Sequence, residues 1–239
     1  MILSRFSISQ NTLKIIAAIS MVIDHLGAEV FPGIVIFRVL GRLAFPIFSY
    51  CIYEGCRYTH HKVKYLLGMI IMALVYLIVY ALYAHRLYGN IFFTLALSIC
   101  VIYAIRFWKK KSHESFARGC FGFVVFTVTA LLACAISVML SVDYGFCGVM
   151  LPVFLEVASD FTENRNLSPH LCQRIMLLSF AIGLCFLALE KTYVQWFGLL
   201  ALVPLSFYDG SRGKWHMKFF FYLFYPAHMA LIELIAVLV

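Results

Sequence analysis

The sequence predicts an all-α fold, a polytopic membrane helical bundle of about nine transmembrane helices with a cytoplasmic N-terminus. Three observations predict it. The chain of 239 residues is 64% hydrophobic and only 13% charged, with a mean hydropathy of +0.94, whereas a soluble domain is roughly 45–50% apolar and about 25% charged. Its apolar residues gather in runs long enough to cross a hydrocarbon core about 30 Å thick. Its basic residues lie almost wholly on one side of those runs.

Stretches of roughly 17–25 apolar residues mark spans, here about 12–30, 34–56, 65–84, 90–107, 119–140, 144–159, 172–189, 193–208 and 218–238. The loops are brief, so residues 1–239 read as a single membrane domain. Arg57, Lys62 and Lys64 share one loop, and Arg106, Lys109, Lys110, Lys111 and Arg118 another. Arg165 and Arg174 flank a third, Arg212, Lys214 and Lys218 a fourth, and all fall on the side of Arg5 and Lys14. Only Arg86 and Lys191 lie opposite, so the positive-inside rule puts the N-terminus in the cytoplasm and the C-terminus outside. The net charge of +8 is therefore a topology signal, and no nucleic-acid partner is expected. The first apolar run lacks a clear small-x-small cleavage site, which argues against a cleaved signal peptide. Eight cysteines scattered mostly within spans, with no C-x-x-C pair, read as apolar packing residues, and no metal site is expected.

The first span carries Asp24 and His25 in its last third, within SMVIDHLGAE. An ionisable group in lipid costs a few kcal/mol, so it needs a partner or a use. The second span carries Arg38 and Arg42, four apart and so on one helix face. Arginine stays charged, and these two need a counterion or water; snorkelling to the outer surface is the alternative for Arg38. The short connection Val30–Gly33 makes the two spans antiparallel neighbours, so Asp24 can meet either arginine. Adjacent residues on a helix point about 100° apart, so Asp24 is poorly placed to orient His25. That leaves His25 facing a cavity, or packed as a hydrogen-bonded histidine.

Later spans add polar groups at the same outer depth. Asn90 and Thr94 open the fourth, Asp143 and Tyr144 the sixth, and Tyr193 and Gln195 the eighth. Loop ends ordinarily carry such residues, so each alone is weak. In the ninth span His228 follows Pro226, whose missing N–H frees a carbonyl about a turn upstream and can kink the helix. On the cytoplasmic side Tyr208–Lys214 reads YDGSRGK. Its glycines and cations, Arg212, Gly213 and Lys214 with Lys218 beyond, can present N–H groups and charge to phosphates. It lacks the spacing of a Walker A or dinucleotide-binding loop; a topology signal with turn glycines is the alternative.

LKIIAAISMVIDHLG, FRVLGRLAFPIFSYCIYEG, YGNIFFTLALS, DYGFCGVMLPVF and RGKWHMKFFFYLFYPAHMALI, in this order over nearly the whole chain, resemble the TraX family of membrane proteins, whose namesake acetylates a conjugative pilin. The family is similar in outline to transmembrane acyltransferases, where a histidine near the outer end of the first span is tied to acyl transfer. That likeness maps onto His25, and the terminal YPAH resembles, more loosely, a tyrosine-rich segment ending in histidine. The resemblance implies a multi-pass protein of the bacterial cytoplasmic membrane. It implies transfer of an acetyl group from cytoplasmic acetyl-CoA to an amine or hydroxyl outside, a pilin N-terminus or an envelope glycan.

On this reading His25 takes the acceptor's proton, or His25 or His228 carries the acyl group as nucleophile. Arg38 or Arg42, Asn90 and Tyr144 stabilise the oxyanion. Asp24 holds an arginine, and Arg212, Lys214 and Lys218 bind the CoA phosphates. The rivals are a proton-coupled carrier, against which no internal repeat of broken helices is visible, and a non-catalytic assembly protein.

Overall fold

The computed structural model describes residues 7–84, 89–163, 165, 167–214 and 218–238. Among them the chain is helical, with one isolated parallel bridge between Ile8 and Tyr208. Among the described residues six helical segments are long and apolar enough to cross a membrane: Val35–Tyr58, which is interrupted at Arg42 and Leu43, Lys62–Leu82, Ile91–Ser112, Phe116–Met139, Gly145–Glu163 and Pro169–Glu190. The helical membrane bundle is as expected; the count of nine is not reached by length and hydropathy. The first expected span contributes a helix of 16 residues, and the last two contribute shorter apolar helices, Tyr193–Ser206 and Leu223–Ala236. The described residues divide into two compact units, Met1–Cys51 with Ser168–Val239, and Ile52–Leu167.

In the first unit, α1 (Gln10–His25) starts where the Ser9 hydroxyl accepts from Thr12 N–H at 3.3 Å, satisfying an orphan donor of the first turn. At His25 the α-helix loosens into a π-helical turn, Leu26–Val30. The second expected span is broken: α2 (Val35–Gly41) stops and α3 (Ala44–Tyr58) starts afresh. Pro46 supplies the reason. Its ring would clash with the carbonyl four residues back, that of Arg42, if the helix ran through. The break therefore falls on the buried arginine itself.

Next come α8 (Pro169–Glu190), capped by Ser168, a 3₁₀ segment Tyr193–Ala201, α9 (Leu202–Ser206) and α10 (Lys218–Leu238). The core holds Leu13, Ala17, Phe45, Ile47, Phe180 and Leu187. Tyr50 meets Phe180 and Tyr208 edge-on at 5.9 and 5.7 Å.

The second unit holds the end of α3 with α4 (Lys62–Ala84), α5 (Ile91–Ser112), α6 (Phe116–Met139) and α7 (Gly145–Glu163). The central members are α5 and α7, which bury Ile99, Val101, Ile102, Leu151 and Leu155. By contrast α4 and α6 leave Ile71, Ile78, Leu82, Phe121, Val124 and Leu131 exposed, the pattern of a surface that faces lipid rather than water. Between helices the cohesion is partly polar. Ser98 donates to Val149 O at 2.8 Å, and Arg106 grips Glu156 with Nε at 2.9 Å and Nη2 at 2.6 Å. Glu156→Ala strips the partly buried Arg106 of its partner and is expected to cost about 1.5–3 kcal/mol of stability. Urea or thermal unfolding in detergent checks this.

Candidate functional site

Five of the residues expected at a site meet in the first unit. Ser20 begins the assembly by donating to Leu40 O at 2.5 Å and Gly41 O at 3.2 Å, which binds α1 to the C-terminal end of α2. One turn further along α1, the Asp24 carboxylate enters the gap between the helices. Arg42 Nη2 lies 2.5 Å from both of its oxygens. Arg38 Nη1 lies 3.0 Å from Oδ1 and donates to the Asp24 carbonyl, also at 3.0 Å. Asp24 thus holds both arginines, where the sequence left one or the other. The Asp24 and Arg42 side chains keep 13% and 12% of their surface, Arg38 34%, so Arg42 is the member that depends on the pairing.

Gly41 makes this close approach possible, since a Cβ there would run into the Asp24 side chain. Gly41→Ala is expected to push α1 away from α2 and cost about 1–3 kcal/mol as an overpacking strain. The drop in unfolding midpoint in detergent measures it.

His25 is turned from this ion group, as helix geometry requires, and its ring lies 5.3 Å from that of His228 at an interplanar angle of 52°. His228 is buried, stacked on Phe224 at 5.1 Å and edge-on to Tyr225 at 5.3 Å. Its Nδ1 lies 2.9 Å from the Phe224 carbonyl. A carbonyl only accepts, so in the neutral ring Nδ1 carries the proton and Nε2 carries a lone pair. Nε2 is buried without a hydrogen-bond partner among the described residues. Buried polar atoms are paired in the great majority of cases, which makes this nitrogen conspicuous.

Gln195, one turn into the 3₁₀ segment, completes the polar line, its Oε1 accepting from Arg42 Nη1 at 3.3 Å. The sequence reading gave Gln195 only the weight of a polar residue at a loop end. The signal that could have raised it is Gly198, which lets the segment lie against Arg42 O and Pro46.

Asn90, Thr94, Asp143 and Tyr144 group together in the second unit. Asn90 caps α5, its Oδ1 accepting from Phe92 N–H at 2.9 Å, while its Nδ2 donates to Ala73 O at 2.9 Å. Thr94 donates to Asp143 O at 2.6 Å, and Asp143 N–H bonds Gly89 O at 3.0 Å. Tyr144 has φ 64, a left-handed conformation that a side-chain-bearing residue adopts at a cost. These bonds describe a staple between α5 and the turn before α7.

Arg212, Gly213 and Lys214 form an exposed turn against the start of α1. Ile8 N–H bonds Phe207 O at 2.9 Å and Gln10 N–H bonds Ser211 O at 2.8 Å. Gly213, at φ +84, leaves room that a Cβ would take from Asn11 and Ser9. Asp209 accepts from Ser211 N–H at 2.8 Å, and bonding to Ser211 holds its carboxyl below the usual range. The turn therefore carries one fixed negative charge among its cations. The Lys218 side chain lies outside the described residues.

One charged cavity of about 300 Å³ in the second unit escaped the sequence reading, with Arg57, Arg106 and Lys109 facing Glu156, Asp160 and Glu163. Its three cations and three carboxylates balance. Each cation has an acidic neighbour, Arg57 with Glu163 at 3.2 Å and Lys109 with Asp160 at 3.2 Å, so the cavity favours neither sign of ligand.

The family model described as TraX protein matches residues 9–236. An uncharacterized protein of Rickettsia prowazekii (strain Madrid E) is 29% identical over 85% of this chain and 71% of its own. The probable fimbrial assembly protein FimC, serogroup H1, of Dichelobacter nodosus is 26% identical over 92% of both chains. No solved structure matches significantly.

Proposed function

Because the chain belongs to the TraX family, we propose that it is a membrane acetyltransferase of the bacterial cytoplasmic membrane that moves an acetyl group from cytoplasmic acetyl-CoA to an amine or hydroxyl outside. The observation that carries this reading is a pair of histidines, His228 buried and His25 half-buried, beside a neutralised arginine. His228 Nε2 offers a lone pair with no partner among the described residues, its tautomer set by the Phe224 carbonyl. A base in that state can take the acceptor's proton as the acceptor attacks the thioester carbonyl, a contribution of about 10²–10⁴ in rate. His25, the less buried ring at 5.3 Å, serves as the relay that holds the proton until it reaches the leaving thiolate. The mechanism needs no ionised carboxylate on either histidine, and Asp24 is committed to the arginines.

The Arg212–Lys214 turn lies at the start of α1 and His25 at its end. At 1.5 Å per residue, the 16 residues separate them by about 24 Å. A long thin donor with its phosphates on one face and its thioester deep in the membrane suits that separation. Arg212 and Lys214, both exposed, are the cations offered to those phosphates, and Lys218 joins them. No metal is required.

The description of the Dichelobacter relative as a fimbrial assembly protein favours a pilus-type subunit as acceptor over an envelope glycan. It also leaves assembly without catalysis as the second reading. Purified protein in detergent, given labelled acetyl-CoA and envelope protein from a deletion strain, separates them. Transfer of label supports the enzyme, and flux of a solute through liposomes without CoA would instead identify a carrier. Protein that neither transfers label nor carries a solute has the assembly role.

A further inference from the structure

We propose that Gln195 is a catalytic residue, the neutral hydrogen-bond donor that polarises the thioester carbonyl while the acetyl group is transferred. The proposal rests on the acyltransferase reading and adds to it the group that meets the developing negative charge.

The argument begins with which way the amide points. Gln195 is 4% exposed, and Arg42 Nη1 lies 3.3 Å from its Oε1. A guanidinium has no acceptor, so the atom facing it is the carbonyl oxygen and the orientation follows from chemistry alone. The other end, Nε2, then presents two N–H groups away from Arg42. It is buried and has no hydrogen-bond partner among the described residues. Gly198 borders Nε2 on its own segment, where even an alanine Cβ would stand 3.4 Å away.

A buried donor left open is the complement of an acceptor that arrives with a ligand. The rest of the polar line says which acceptor. Arg42 is held by both Asp24 oxygens and by Gln195, so its charge is already answered. Beyond that ion group the unit leaves three buried side-chain atoms without a hydrogen-bond partner among the described residues, the Ser49 hydroxyl, Gln195 Nε2 and His228 Nε2, and the last two join a pure donor to a lone pair. Addition to a carbonyl asks for that combination. The acceptor's nitrogen or oxygen bonds to the carbonyl carbon, and the π pair moves to the carbonyl oxygen, which receives the Gln195 N–H. The acceptor's proton passes to His228 Nε2. As the oxygen's pair re-forms the double bond, the carbon–sulfur bond breaks and the thiolate of CoA leaves with that proton. Gln195 is unchanged throughout, and its hydrogen bond is stronger to the oxyanion than to the ground-state carbonyl, which is the condition for lowering the barrier.

Gln195→Glu provides the decisive comparison, because a carboxylate still accepts from Arg42 while the donor is gone. With the full chain in detergent, acetyl-CoA as donor and envelope protein of a deletion strain as acceptor, kcat is expected to fall about 10²–10³-fold. KM for acetyl-CoA should move less than about threefold, and the melting midpoint should stay near that of the wild type, since the Arg42 contact survives. Gln195→Glu transferring at the wild-type rate overturns the proposal and leaves Gln195 as a positioning residue for Arg42. Should the variant not fold, the wild-type protein decides. The infrared carbonyl stretch of bound acetonyl-CoA, a ketone analogue that cannot transfer, is expected at lower frequency than in buffer, and an unshifted band overturns the assignment. Wild-type protein with no transfer at all defeats the acetyltransferase reading itself, an outcome distinct from either of these.

Discussion

Asp24→Ala is expected to destabilise the protein by about 3–5 kcal/mol, the cost of leaving a buried charge without its partner. The loss falls on Arg42, 12% exposed and unable to discharge, more than on Arg38, which has a third of its surface free. Unfolding in mixed micelles measures it. The double variant Asp24→Leu/Arg42→Leu supplies the control, since replacing both partners of a buried pair by apolar groups is often nearly neutral. Recovery of at least half the lost stability is expected. If the double variant is as unstable as the single one, the pair is not what makes α1 and α2 depend on each other. Asp24→Asn retains the size and one acceptor, and should fall between the wild type and alanine.

His228→Ala is expected to lower acetyl transfer by about 10²–10⁴-fold with little change in the affinity for acetyl-CoA. The side chain touches Phe224, Tyr225 and His25, so some stability is lost as well, and kcat and KM must be read beside the melting midpoint. His228→Phe keeps the ring packing and removes both nitrogens; its transfer rate isolates the base from the packing. His25→Ala should slow transfer less than His228→Phe if His25 relays the proton. Full activity in both histidine variants would remove the basis of the mechanism.

These expectations depend on features of unequal legibility. The antiparallel pairing of the first two spans follows from a connection too short for any other arrangement, and with it the meeting of Asp24 with an arginine. The divergence of His25 from Asp24 follows from a rotation of 100° per residue. The break in the second span was also within reach. Pro46 is four residues after Arg42, the distance at which a proline ring meets a carbonyl, yet the run 34–56 reads by hydropathy as one span. The π-helical turn after His25 leaves no comparable mark in composition.

Composition, hydropathy and the segregation of lysine and arginine by themselves determined an all-α membrane protein, because lipid admits only segments that satisfy their own backbone. Order and spacing in the motifs determined its TraX kinship. Tertiary structure alone decided which polar residues share a site. Asn90 and Thr94 look as promising in sequence as His228, but their hydrogen bonds go to Ala73 and Asp143, whereas one nitrogen of His228 and one of Gln195 have no hydrogen-bond partner among the described residues. Hydropathy reports how deep a residue lies along the membrane normal. Which neighbour satisfies its hydrogen bonds depends on helix rotation and contact, and these emerge only when residues more than 150 positions apart, such as Arg42 and Gln195, are brought to one place.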